Sequence, residues 1–202
     1  KRNVVYQKMG YDEFIDESEM TYTEKENGKG YISDSETYKE VLDVLKDGEE
    51  SHMVGVVTMQ NHMPYNSAGF SEFNYQLKVP AQQQGELGAW FESLHRADEY
   101  LGEFLDELDK LEAKTVVLWF GDHAAGVLDE LNVSEDASER DLTRLTPYFI
   151  YANFEIESNY TVAEVKKINQ KLGFDLPTKG IDLPVTTPNC LLNTMYNVLN
   201  AE

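Results

Sequence analysis

A single cysteine, Cys190, stands in 202 residues, so no disulfide can form within the chain and no disulfide framework can substitute for a core. Basic residues are scarce: 17 Lys+Arg against 37 Asp+Glu leave a formal net charge of −20. So acidic a surface repels nucleic-acid phosphate and anionic lipid alike. Nucleic acid is therefore excluded as a partner, and an anionic substrate would need a local positive group such as a metal or an arginine. No apolar run approaches the length of a membrane span. No signal peptide is read either: "KRNVVYQKMGYDEF" already looks like folded sequence, and the chain is expected to be a piece of a longer protein. Internal repeats and linker-like stretches are also missing. What is present, 41% hydrophobic and 11% aromatic residues, is the composition of a globular domain with a sizeable core.

The apolar pattern alternates between two periods. "SDSETYKEVLDVLK" predicts a helix with Ser33 or Asp34 as N-cap and Tyr38, Val41, Leu42 and Leu45 on one face. "HMVGVVTMQ" is a short continuous apolar run, the mark of a strand buried on both faces, and it ends at "NHMPY". The aromatic stretch around Phe70, Phe73 and Tyr75 reads as a long loop or as packing beneath one. From Leu87 the helical period takes over, through Trp90, Phe91, Leu94, Ala97, Leu101, Phe104, Leu105, Leu108 and Leu111. A buried strand "TVVLWFGDH", a charged loop over Glu135 to Asp141, and a further strand "TPYFIYAN" follow. Two helices close the chain, one capped by Thr161 and stopped by Gly173, the other with Thr187 as cap and Pro188 in its first turn. Cys190 reads as a small buried hydrophobe on that last helix. Strands alternating with helices imply an α/β fold with a largely parallel sheet covered on both faces, whose chemistry sits at the carboxyl ends of the strands.

Two strand ends carry histidine. In "FGDHAAG" the backbone turns at Gly121, and Asp122 and His123 offer one oxygen and one nitrogen, a pair that suits zinc or manganese better than calcium. In "TMQNHMPY" the histidine is His62. Taken alone neither signal is specific: an aspartate can cap a turn and a histidine can sit on the surface or satisfy a core hydrogen bond. His52 and His95 carry no pattern.

The order of motifs is more specific than any one of them. "VVTMQNHMPY", followed by "HRADEYLGEFLDELDKLEAKTVVLWFGDH", resembles the extracellular catalytic domain of the lipoteichoic acid synthase and phosphoglycerol transferase family, within the sulfatase and alkaline phosphatase superfamily. The resemblance runs from Arg2 to the last helix. It implies an alkaline phosphatase-like α/β/α sandwich, with residues 1–202 forming the C-terminal part of a single sulfatase-like catalytic domain. It assigns Asp122 and His123 to a divalent metal, Mn2+ in the first place and Mg2+ or Zn2+ otherwise. His62, in "NHMP", and Arg2, in "RNVVYQKMGYDEF", would contact the substrate phosphate. The implied activity moves glycerol phosphate from a phosphatidylglycerol-type lipid to a polyglycerolphosphate acceptor. The implied partners are a phospholipid head group and a glycerol-phosphate polymer, met at the extracellular face of a membrane in which the whole protein is anchored upstream.

The pattern is not complete. The family's early glutamate ligand and its threonine nucleophile match no segment here, so this chain alone is expected to be inactive. A family serine after "GDH" falls near Val127. A sulfatase or phosphoethanolamine transferase on the same scaffold, or a non-catalytic binding module that keeps the fold, are the alternative readings.

Overall fold

A computed structural model of the chain describes residues 2–46, 51–65, 70, 78, 81–127, 145–156, 160–173 and 183–199. Two compact units divide it, Lys1–Lys110 and Leu111–Glu202. The loop over Glu135 to Asp141 lies outside the described residues, as does the aromatic stretch apart from Phe70 and Lys78.

The first unit contains α1 (Arg2–Lys8), α2 (Asp34–Lys46) and α3 (Ala81–Leu108). The start of the chain is helical, and Val4, Val5 and Met9 are exposed. Ser33 caps α2, its Oγ accepting the Glu36 amide at 3.4 Å, and Tyr38, Val41 and Leu42 are buried on one face as expected. That face meets α3 through Tyr38 and Phe104, whose rings stack with centroids 4.6 Å apart. The buried stripe of α3 differs from the one its apolar residues suggest. Phe91 and Leu94 are exposed, while Glu92 and Ser93 are buried beside Leu87, Ala89, Ala97, Phe104 and Leu108. Both are bonded: Glu92 accepts from Arg96 one turn on in the same helix, and Ser93 donates to the buried Gln60.

The apolar run from Met53 to Val57 forms no ladder, and Met53 and Val57 are exposed. The buried strand expected there is not present among the described residues. β-branched residues favour extended backbone, but a strand is completed only by the N–H and C=O groups of a neighbour. Only at its end does this run enter the core, at Gln60.

The second unit holds β1 (Val116–Phe120), β2 (Tyr148–Ala152), α4 (Val162–Lys171) and α5 (Leu191–Leu199). The parallel sheet expected from the alternation of elements is replaced, in the described residues, by an antiparallel pair running from Val116 opposite Ala152 to Phe120 opposite Tyr148. Alternation fixes the type of each element and not which edges meet. Here the pairing continues at both ends, through Gly121 N to Pro147 O at 3.0 Å and Asn153 N to Thr115 O at 3.2 Å. Trp119 and Phe149 stack across the pair. Thr161 caps α4 in a full capping box with Glu164, as its spacing indicates. Leu191, Thr194 and Val198 form the buried face of α5, but Cys190, in the 3-10 turn before it, is exposed rather than buried. Pro188 opens that turn, and Cys190 ends it.

Leu108, the last residue of α3, has no exposed surface. Leu108→Ala should lower the unfolding free energy by about 2–5 kcal/mol, the usual loss for a leucine side chain removed from a packed interior. Urea unfolding of the two proteins at one pH checks this.

Candidate functional site

Each of the two histidine-bearing turns has its own scaffold. In the first unit, the segment leading to His62 is tied down at Gln60, two residues before it. The Gln60 side chain accepts from Asp34 N at 2.8 Å and donates to Ser93 O at 3.2 Å. Its backbone N–H reaches Asp34 Oδ1 at 3.4 Å and its carbonyl accepts from Ser93 Oγ at 3.5 Å. One buried glutamine thus ties the end of the apolar run to the start of α2 and the middle of α3. Asp34 is only 3% exposed, and burial raises its carboxyl pKa to about 6, against the bonds from Gln60 and Thr58 that favour the charged form.

A second buried group fixes the loop before α2. The Glu26 carboxylate accepts from Tyr100 Oη at 2.6 Å and from Arg96 Nη1 at 3.2 Å, and Arg96 Nε donates to Glu92 at 3.1 Å. Burial, and next the hydrogen bond to Glu26, push the Tyr100 hydroxyl up to about 12. The loop then turns through Asn27, Gly28 and Gly30, all at positive φ, and bridges Lys25 to Ile32. It delivers Tyr31 to His62, edge-on, with ring centroids 5.5 Å apart.

His62 itself is exposed, and its Nδ1 lies 2.7 Å from the Met63 carbonyl. A carbonyl only accepts, so Nδ1 carries the proton and Nε2 is left facing outward. Next to it the Asn61 Oδ1 is buried with no partner among the described residues. Arg2 stands exposed in the first turn of α1, whose Tyr6 packs on Tyr11 and Phe14.

In the second unit β1 ends at Gly121, where an added Cβ would lie 3.1 Å from Thr146 Cβ. A side chain here would be tight against Thr146, which donates from Oγ1 to Gly121 O at 2.7 Å. Asp122 and His123 leave the strand here. Asp122 Oδ1 accepts the His123 amide at 2.9 Å, and Asp122 Oδ2 lies 3.5 Å from His123 Nε2. His123 Nδ1 is 2.9 Å from the Ala124 carbonyl, which again puts the proton on Nδ1 and leaves the Nε2 lone pair for a ligand. One carboxylate oxygen and one imidazole nitrogen, converging and exposed, form a donor set that fits a divalent transition metal. Two donors are a partial shell, and no group of three or more His, Cys, Asp or Glu placed to hold a metal occurs among the described residues. Val127, near the position of the family's serine, is buried at 6% exposure and belongs to the core.

The structure thus brings Asp122 and His123 together in one unit, while Arg2 and His62 belong to the other. Sequence reasoning missed Tyr31, Gln60, Glu26 and Arg96. Gln60 had a signal: a long polar side chain at the end of an apolar run is buried only if fully bonded. The other three carry none.

Comparison with known proteins adds the following. A family model described as Sulfatase matches residues 1–176. Two curated proteins are each 25% identical over 124 residues, which is 60% of this chain and 19% of theirs. They are "Lipoteichoic acid synthase 1" of Bacillus subtilis (strain 168) and "Putative cyclic beta-1,2-glucan modification protein" of Rhizobium meliloti (strain 1021). The chain therefore spans about a fifth of the length of either. Among solved structures, Streptococcus pyogenes phosphoglycerol transferase GacH in complex with sn-glycerol-1-phosphate superposes with a TM-score of 0.63 and 20% identity, over 100% of this chain and 58% of that one. The alkaline phosphatase-like fold inferred from the motif order is borne out by this likeness and by the family match.

Asp34 gives the first unit a pH signature. Its folded pKa lies above the value near 4 expected in an unfolded chain, so the stability it contributes is full below pH 4 and is lost as pH rises through 6. Asp34→Asn keeps the acceptor and removes the ionisation. Its stability relative to the parent should rise by about 2–3 kcal/mol between pH 4 and 7, measured by chemical unfolding at each pH; a constant difference would mean that Asp34 ionises freely.

Proposed function

This chain belongs to the sulfatase family, and on that premise we propose that it forms part of a metal-dependent phosphoglycerol transferase. The transferase moves glycerol phosphate from a phosphatidylglycerol-type lipid to a polyglycerolphosphate acceptor. The observation that carries the reading is the convergence of Asp122 Oδ2 and His123 Nε2 at 3.5 Å beyond β1, with the other imidazole nitrogen committed to Ala124 O. In this reading the two units are parts of one catalytic domain. Asp122 and His123 hold a divalent cation, Mn2+ in the first place, which supplies Lewis acidity toward a phosphoryl oxygen. Arg2 supplies a permanent positive charge with paired donors that match phosphate geometry. His62 presents Nε2 to the substrate: as the cation it donates to an oxygen, and as the neutral ring it accepts from a hydroxyl. Positive charge supplied only at these points reconciles an anionic substrate with a chain of net charge −20.

In this reading the threonine nucleophile and a further glutamate ligand, which match no segment of these residues, are supplied by the rest of a membrane-anchored protein whose catalytic domain is extracellular. No helix of the described residues is long and apolar enough to cross a membrane. The isolated chain is accordingly without turnover. Support for a glycerol-phosphate substrate comes from the likeness to a lipoteichoic acid synthase and to GacH, whose structure holds sn-glycerol-1-phosphate. A second reading, in which the acceptor is a glucan, is favoured by the equal match to the cyclic beta-1,2-glucan modification protein.

Asp122→Ala and His123→Ala separate metal binding from folding. Both side chains are exposed, so each change should cost under about 1 kcal/mol of stability. In the protein that carries the nucleophile, each should abolish retention of Mn2+ and transfer of glycerol phosphate together. Metal analysis after gel filtration, with a radiolabelled lipid assay, reads both losses; retained metal and activity would make the pair a surface turn.

A further inference from the structure

The imidazole of His62 is held in place from two sides, and only one of them is its own segment. The Met63 carbonyl takes the Nδ1 proton at 2.7 Å. Tyr31, from the loop before α2, donates its hydroxyl to the same carbonyl at 3.3 Å, and its Oη lies 3.5 Å from Nδ1. The two rings meet edge to face, at 79°. A carbonyl oxygen has two lone pairs, so it can accept both protons at once. Both protons then go to that carbonyl, and Oη keeps only a looser 3.5 Å contact with Nδ1. In the other tautomer the Nδ1 lone pair would oppose the carbonyl oxygen at 2.7 Å, and rotating the tyrosine hydroxyl toward Nδ1 would not relieve it.

An exposed imidazole with one local bond would turn about its side-chain torsions. The tyrosine can prevent that only if it is fixed itself. It is, because Glu26 anchors one end of its loop to Arg96 and Tyr100 while the Lys25–Ile32 bridge and the Ser33 cap hold the other. We infer that Tyr31 is the positioning residue of His62: it holds the ring with Nδ1–H on the Met63 carbonyl and Nε2 turned outward. That this serves transfer rests on the reading of His62 given above; that Tyr31 orders the ring does not.

The test has a spectroscopic and a kinetic arm. In the 202-residue chain labelled with 15N-histidine, the ring signals of His62 are those missing from His62→Gln. Neutral His62 should be the Nδ1–H tautomer, with a population that falls from the parent to Tyr31→Phe, which keeps the ring, and again to Tyr31→Leu, which keeps neither ring nor hydroxyl. An Nε2–H tautomer in the parent, or a tautomer unchanged in Tyr31→Leu, overturns the inference. In the protein that carries the nucleophile, Tyr31→Leu should lower kcat about tenfold or more with KM within about twofold, the pattern of a displaced catalytic group. It should cost nothing further in a His62→Gln background, whereas a purely structural role would persist there. If Tyr31→Leu shifts the tautomer but His62→Gln leaves transfer intact, the positioning stands and the role of His62 in transfer falls. If His62→Gln abolishes transfer while Tyr31→Leu changes neither tautomer nor kcat, the reverse holds.

Discussion

The first unit depends on one buried amide. Gln60 is 7% exposed, yet its side chain and backbone bond to Asp34 and Ser93. A buried side-chain amide is tolerated only when its donors and acceptors are matched, and a matched one fixes geometry more sharply than an apolar contact, because its partners must stay aligned. Gln60 therefore sets where the apolar run ends, and with it the position of His62 two residues on. Asp34 bears the cost: it is buried deeply enough to hold its proton up to about pH 6.

The two histidine-bearing turns use one device. His62 and His123 each commit Nδ1 to the carbonyl of the following residue, Met63 at 2.7 Å and Ala124 at 2.9 Å, and so keep Nε2 as the nitrogen available to a ligand. A bond to the next carbonyl needs no distant partner, so it suits a residue that has just left a buried element and is exposed to water. The turns differ in what is added. His123 gains a carboxylate from its chain neighbour Asp122, and His62 gains a tyrosine from a loop thirty-one positions away.

What was legible in the sequence follows from range. Helices with i, i+3 and i+4 burial, such as α2, and local caps such as Thr161 with Glu164 are encoded within a few residues, and they emerge as expected. So does the placement of Asp122 and His123 just past β1, because a strand end and the residues after it are neighbours in sequence. The antiparallel pairing, the exposure of Phe91 and Leu94, and the ladder-free run from Met53 to Val57 were not legible. Each depends on which distant group lies alongside, and an apolar period does not carry that. Tyr31 was missed for the same reason: nothing near it in the chain marks it as the neighbour of His62. Cys190 was misplaced because hydrophobicity was read as burial, whereas it lies in the 3-10 turn before the last helix and is exposed.

The central claim is that His123 offers Nε2, and Asp122 a carboxylate oxygen, to one divalent cation. Electron-nuclear double resonance on bound Mn2+ tests it directly, in the nucleophile-bearing protein with histidine labelled by 15N at Nε2. The account predicts a 15N coupling of directly bonded strength in the parent that disappears in His123→Gln. Bound Mn2+ with no such coupling, or a coupling that survives in His123→Gln, would contradict it.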